Sequence, residues 1–331
     1  MTKPLRVGVV GVGVMGRHHV RAVLERDDVT LAAVVDHGQH GAEFADVAHV
    51  AVDLEPALAV GLDCCIVAVP TNQHEVVAVA LAEAGIPTLV EKPLADTSAS
   101  AERIRQAFHD AGVPGGVGHI ERSNAAAMTL RALLAQDELG DLWQVESRRQ
   151  SPFPERVRDV GVVADLAIHD FDLAAWLARS HYESIVARTR HRFGQLVEDQ
   201  AVCLGALANG VLTSHVATWL SPTRERRTTV VGERGILVAD TLNTELWRCI
   251  KRVDGGAEDR RARADDDWEL VPHAESKDAL NVQLDRFVAL VRGIEDAAAG
   301  LASFDAGVGA VAVAEAALRS AESSHIATPG R

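Results

Sequence analysis

Short apolar runs alternate with longer amphipathic stretches through the first 120 residues. Leu5–Val10, Leu31–Val35, Cys64–Ala68, Thr88–Val90 and Gly115–Gly118 are brief and apolar, several of them rich in β-branched residues, as strands buried on both faces should be. Gln73–Ala84 and Thr97–Ala111 lie between them and read as helices, the second opened by Asp96 and Thr97 as candidate caps. Strand, helix and strand in repetition predict a parallel, doubly wound sheet. After a helix at Asn124–Gln136 the period shortens. Trp143–Arg149, Ser184–His191, Ala201–Leu207, Val211–Thr218, Arg227–Val231, Ile236–Val238 and Glu245–Cys249 read as successive strands, joined by turns such as Ala208-Asn209-Gly210. They predict a mostly antiparallel sheet that follows a single helix, Ala164–Leu177. Asp254–Asp267 is charged and contains glycine, and reads as a mobile loop. Helices at Ala279–Ile294 and Asp305–Ser320 close the chain.

The connection after the first strand carries specific chemistry. Gly11, Gly13 and Gly16 form G-x-G-x-x-G between that strand and a helix, and the second strand ends at Asp36, 20 residues past the last glycine. Gly11 permits the tight turn, Gly13 lets the backbone approach a pyrophosphate, and Gly16 lets the helix sit close to the strand. The N–H groups of Val14 and Met15 would then face the pyrophosphate at the positive end of the helix. Asp36 can accept hydrogen bonds from both ribose hydroxyls of an adenosine. His37, Gly38, Gln39 and His40 follow it with no Arg or Lys, so NAD is favoured over NADP. The expected fold class is α/β: an N-terminal Rossmann domain over residues 1–121, then an α+β domain with an open, mostly antiparallel sheet over residues 122–331. Only one face of that sheet can be covered from within the chain, which predicts a homodimer or homotetramer packed through the other.

Composition narrows the classes. The chain has 331 residues, long enough for two cored domains, and only 4% are aromatic, so the core rests on Ala, Val and Leu. A net charge of −14 argues against nucleic-acid or anionic-membrane partners. No apolar run approaches the roughly 20 residues needed to span a bilayer. The N-terminal MTKPLRVG enters a strand without the apolar segment of a signal peptide, so a cytoplasmic location is expected. Cys64, Cys65, Cys203 and Cys249 form no C-x-x-C pair and read as reduced residues, with no metal site expected.

Three further segments carry polar chemistry. Pro70-Thr71-Asn72-Gln73-His74 follows the strand at Cys64, at the carboxyl end of the sheet where doubly wound folds bind ligands. Thr71 or Asn72 can cap the next helix, and the segment can face the nicotinamide half of a cofactor. Glu91-Lys92-Pro93 ends the next strand and directs a lysine toward the same crevice. Asp165 and His169 stand four apart on one helical face, where a carboxylate can orient an imidazole and raise its basicity. Taken alone, that pair reads equally simply as a helix cap and a core histidine.

In sequence, these segments resemble the Gfo/Idh/MocA oxidoreductases, and the resemblance covers essentially the whole chain. It implies that Lys92 is the catalytic lysine, His169 the general acid/base and Asp165 its partner in the substrate site. Glu91 and Pro93 would shape the loop carrying Lys92, and Pro70, Thr71, Asn72, His74 and Glu91 would lie against the cofactor with His37. Gly118–Asn124 looks like the family's crossover between domains and brings His119 and Arg122 to the substrate. Members often carry Phe and Pro around that Asn; here Ser123 and Ala125 flank it. Gly118–Asn124, Pro152–Gly161 and Trp219–Thr223 look like the branch that includes UDP-N-acetylglucosamine 3-dehydrogenases. Arg156 and Arg158, with Arg148 and Arg149 on the preceding strand, can neutralise a diphosphate or pair with Glu155 and Asp159. The implied function is NAD-dependent hydride transfer at a secondary hydroxyl or ketone of a sugar, nucleotide sugar or aminosugar, at ring C3. The alternatives are an inositol or polyol dehydrogenase, a keto-sugar reductase, and a non-catalytic NAD-binding regulator.

Overall fold

Leu5–Val10 (β1) is buried along most of its length and occupies the centre of a six-stranded sheet. The chain continues through Val14–Leu24 (α1), Val29–Val35 (β2), His49–Ala51 (β3), Leu54–Leu58 (α2), Cys64–Val67 (β4), His74–Glu83 (α3), Thr88–Val90 (β5), Ser98–Ala111 (α4) and Gly115–Val117 (β6). The strand order is β3-β2-β1-β4-β5-β6, with every neighbouring pair parallel. The order reverses direction between β1 and β4, which opens a crevice at the carboxyl ends of those strands. β3 and α2 had no counterpart in the apolar pattern: they are short, and His49 is exposed. Thr97 caps α4, its Oγ1 accepting the Ser100 N–H at 3.1 Å. The computed structural model describes residues 3–154, 160–194, 196–250, 268–273 and 277–330.

The second sheet is mixed. Ala125–Ala135 (α5) begins at Asn124, whose Oδ1 accepts the Ala126 N–H at 3.0 Å. Then come Leu142–Gln150 (β7), Ile168–Ala178 (α6), Tyr182–Arg190 (β8), Gln200–Leu207 (β9), Leu212–Thr218 (β10), Glu225–Gly232 (β11), Gly235–Asp240 (β12), Glu245–Ile250 (β13) and Glu269–Leu270 (β14). The eight strands run β14-β13-β12-β11-β7-β10-β9-β8. β7 and β10 pair in parallel and the other neighbours are antiparallel. The two-residue β14 was not anticipated, and the loop expected at Asp254–Asp267 lies outside the described residues.

Ala279–Val291 (α7) follows, then Glu295–Ala298 (α8) and Phe304–Ser323 (α9). Leu280, Leu284, Phe287 and Val288 form one stripe of α7 and are buried with Val7, Val9, Leu31, Ile66 and Leu89 around the first sheet. The chain therefore divides into residues 1–123 with 278–311 and residues 124–277 with 312–331. A single boundary at residue 121 makes no provision for that return. In the second unit, Leu130, Phe171, Leu177 and Ala317 pack with the inward residues of the strands, among them Val145, Ala201, Val230 and Leu237. Burial pushes the thiols of Cys64 and Cys203 up to about 12, which leaves them inert.

A histidine sits inside this second core. His215 on β10 is 1% exposed, with Nε2 2.7 Å from the Tyr182 hydroxyl and Nδ1 2.7 Å from Ser147 Oγ. Burial lowers its pKa to about 3. Below pH 6.5 the unfolded chain takes up a proton that the folded core refuses, so stability falls as pH drops from 6.5 toward 3. The loss should reach roughly 3–5 kcal/mol. Urea titrations between pH 7 and pH 4 should show it, and His215→Gln, which bonds without titrating, should flatten the dependence. An unchanged slope in that variant would assign the loss to other groups.

Candidate active site

The glycine-rich turn depends on close backbone approach. Gly11 has φ +84°, and a Cβ there would lie 2.7 Å from Ala68 O and Val69 N at the end of β4. A Cβ on Gly16 would overlap Gly11 O. A Cβ on Gly13, by contrast, would meet nothing within 4 Å. Gly13 is the N-cap of α1, no side chain caps it, and Val14 is 55% exposed. The helix thus presents unfilled space and its first-turn N–H groups at one place, the features a pyrophosphate requires. Asp36 closes the turn: Oδ2 accepts the Val12 N–H at 2.9 Å and Oδ1 accepts the Gly38 N–H at 2.8 Å. The open space at Gly13 beside the first-turn N–H groups of α1 fits the pyrophosphate of a dinucleotide. His37, the residue after Asp36, is exposed.

Arg17 on α1 reaches His40 Nδ1 at 3.2 Å and Glu43 at 2.9 Å, so a cation does stand near the segment after Asp36. It comes from α1, 19 residues before Asp36 in the chain.

Pro70 and Asn72 are exposed and Thr71 half-buried on the single turn Thr71–Gln73. Neither Thr71 nor Asn72 caps that turn or α3. His74 was expected against the cofactor, but its ring is 1% exposed and turned to the backbone. Nε2 lies 3.0 Å from Val69 O, and Nδ1 lies 2.9 Å from Pro93 O and 3.3 Å from Leu94 O. Burial lowers its pKa, against the pull of those carbonyls and of Glu91. His74 therefore ties the segment after β4 to the segment after β5.

Glu91 was likewise expected against the cofactor and is taken up by protein partners. Its Oε1 lies 2.7 Å from His19 Nε2, and its Oε2 accepts the Lys92 N–H at 3.1 Å. Burial alone would raise its pKa; His19 and the Lys92 charge and N–H bring it below the ordinary carboxylate range. Lys92 is half-buried at the end of β5. His119 and Arg122 are buried on and beside the turn Ile120–Ser123. Arg286 of α7, unsuspected from sequence, donates to the Arg122 carbonyl at 2.9 Å and to Ser123 Oγ at 3.0 Å.

In the second unit Asp165 and His169 are both half-buried, as a shared helical segment allows. That segment is not a uniform α-helix. Val163–Ala167 forms a π-helical turn, which α6 then continues from Ile168. Asp165 is not its cap. Glu198, ahead of β9, accepts the Val163 N–H through Oε1 at 2.9 Å, and a Cβ on Gly161 would overlap its carboxylate. Asp170 anchors the same helix to β7: Arg149 Nε and Nη2 reach its Oδ1 at 3.0 and 2.9 Å, both residues buried. Arg149 thus has a buried carboxylate partner within its own unit. Arg148 is exposed, on the opposite face of the strand. Arg156 and Arg158 lie outside the described residues. Among the described residues no group of three or more His, Cys, Asp or Glu is arranged for a metal ion, and no helix is long and apolar enough to cross a membrane.

Residues 5–119 match the family described as oxidoreductase family, NAD-binding Rossmann fold, and residues 127–238 match the GFO/IDH/MocA C-terminal domain. The chain belongs to the GFO/IDH/MocA oxidoreductase family. It is 31% identical over 223 residues to inositol 2-dehydrogenase of Corynebacterium glutamicum, a match covering 64% of this chain and 66% of that one. It thus spans just under two thirds of that relative. It is 28% identical over 248 residues to UDP-N-acetylglucosamine 3-dehydrogenase of Acidithiobacillus ferrooxidans, covering 73% of this chain and 76% of the relative. The solved structure of GenD2 from gentamicin A biosynthesis, in complex with NAD, superposes with TM-score 0.82 at 26% identity, over 100% of this chain and 98% of that one.

The glycine geometry separates binding from folding. Gly13→Val should leave the melting temperature unchanged while NAD affinity falls by about 10-fold or more, read from quenching of protein fluorescence. Gly16→Ala forces α1 away from β1 and should lower the melting temperature as well.

Proposed function

We propose that this protein is an NAD-dependent dehydrogenase acting on a secondary hydroxyl of a sugar, most simply a nucleotide sugar or aminosugar at ring C3. What carries the reading is one chain holding a glycine cradle at Gly11–Gly16 and, in its other family domain, Asp165 on a π-helical turn with His169 four residues on, in the first turn of α6. His169 takes the hydroxyl proton as general base, held in orientation by Asp165. Lys92 is assigned as the ammonium that stabilises the negative charge developing on the substrate oxygen. Bound NAD supplies the hydride acceptor. NAD is preferred to NADP because the Asp36 carboxylate repels an added phosphate and Arg17 is already paired with Glu43. His119, Arg122, Arg156 and Arg158 are assigned to the substrate side. The identity to inositol 2-dehydrogenase supports a second reading, in which the substrate is a cyclitol.

Lys92→Met should lower turnover by about 10²-fold or more while NAD affinity stays within a few-fold. The assay follows NAD reduction with UDP-N-acetylglucosamine, free aminosugars and myo-inositol, and the substrate that native protein oxidises decides between the two readings. Native turnover in the variant would remove the lysine from the reaction. A native protein that binds NAD and oxidises nothing in the panel would favour a regulator.

The outward face of the second sheet is the place for a second copy of the chain. Val202, Leu204 and Leu212 are 43%, 55% and 58% exposed there, and Val216 lies opposite Val202 in register. Leu204→Glu with Leu212→Lys should shift the protein toward monomer in sedimentation velocity. An unchanged distribution would place the interface elsewhere.

A further inference from the structure

Lys92 owes its place to a backbone segment, and that segment is held by a histidine from a different element. His19 lies on α1, three residues past the last glycine of the fingerprint, and is 1% exposed. A carboxylate only accepts, so the 2.7 Å contact is a hydrogen bond from His19 Nε2–H to Glu91 Oε1. The other oxygen of the same carboxylate accepts the N–H of Lys92 itself at 3.1 Å. Each oxygen thus has its own task. The wall behind the carboxylate is closed, since a Cβ on Gly118 would lie 2.9 Å from Oε2 and 3.0 Å from the carboxyl carbon. Glu91 cannot swing that way without displacing Gly118, the residue after β6.

Among the described residues, His19 Nδ1 is buried with no hydrogen-bond partner, and the polar contact of the ring is the one to Glu91. A core histidine kept for general packing would gain by satisfying both nitrogens, as His215 does. His19 accepts the cost of an unpaired nitrogen and still directs the other at the group that holds Lys92.

We propose that His19 is a positioning residue for Lys92: through the Glu91 carboxylate it links the helix that begins at the glycine fingerprint to the backbone of the lysine. The inference rests on the reading of Lys92 as the ammonium that meets the substrate oxygen. In the folded protein the chain of contacts is short, His19 Nε2–H to Oε1, carboxyl carbon, Oε2 to Lys92 N–H. Removing its first member leaves Oε1 without its donor, so that the carboxylate can turn away from Gly118, and a displacement of about 1 Å at a catalytic group can cost on the order of 10²-fold in rate.

The test uses full-length protein and needs no knowledge of the substrate. Lys92 is labelled competitively with acetic anhydride and its rate is compared with that of Lys3 by peptide mass spectrometry. His19→Leu should change the Lys92 rate by about threefold or more, with NAD affinity and melting temperature close to native. His19→Gln, whose amide can donate to Glu91, should return it toward native. With a substrate in hand, His19→Leu should lower kcat by about 10-fold or more at unchanged KM. Native labelling in His19→Leu overturns the proposal, and so does a loss of NAD binding that accounts for the whole effect. Should that variant fail to fold, Glu91→Gln supplies the same comparison. Turnover by Lys92→Met would instead refute the role of the lysine, a result the labelling rates do not depend on.

Discussion

The close approach of α1 to the ends of β1 and β4 is the constraint on which the first unit depends. Three backbone segments meet where Gly11, Gly16 and Ala68–Val69 crowd together, and a single Cβ at Gly11 or Gly16 would push them apart. That closeness aims the start of α1 at open space above Gly13. It also brings His19 within reach of Glu91 and Val12 within reach of Asp36. The N–H groups at a helix start bind anions only when the helix is held at the right depth and angle. Here glycine supplies the depth, and carboxylates supply the angle.

The second unit solves a comparable problem with charge. Its key helix starts as a π-turn, and the first N–H groups of any helical segment have no acceptor within it. Glu198 takes up one of them, from a position 35 residues further along the chain. The buried Arg149–Asp170 pair fixes the helix against β7. Burying such a pair brings little net stability, because desolvation offsets attraction, but breaking it would strand a charge. The pair therefore specifies one orientation for the helix that carries Asp165 and His169.

Both units spend buried polar groups on position. His74 bridges two segments through backbone carbonyls, Glu91 serves two donors, and His215 joins two strands to a tyrosine. A chain with 4% aromatic residues has few large rings with which to lock elements by shape. Satisfied polar contacts in a low-dielectric interior are directional, and they fix geometry where small apolar side chains would slide.

The local pattern determined a good deal by itself. Apolar runs of the right length marked β1, β4 and β5, because strands covered on both faces must be apolar throughout. The glycine spacing marked the cradle, since only glycine tolerates Gly11's φ and the overlap at Gly16. Thr97 was legible as a cap, because capping is a contact between near neighbours in the chain. Other features were settled only by tertiary structure. His19 with Glu91 lies 72 residues apart, Arg149 with Asp170 lies 21, and α7 packs under a sheet whose first strand begins at Leu5. No periodicity encodes such pairings, because each depends on which faces of separate elements come to share one interior. The same reason gave His74, Glu91 and Arg149 partners within the protein that no local pattern marks: a polar side chain brought into a core must find its partner there.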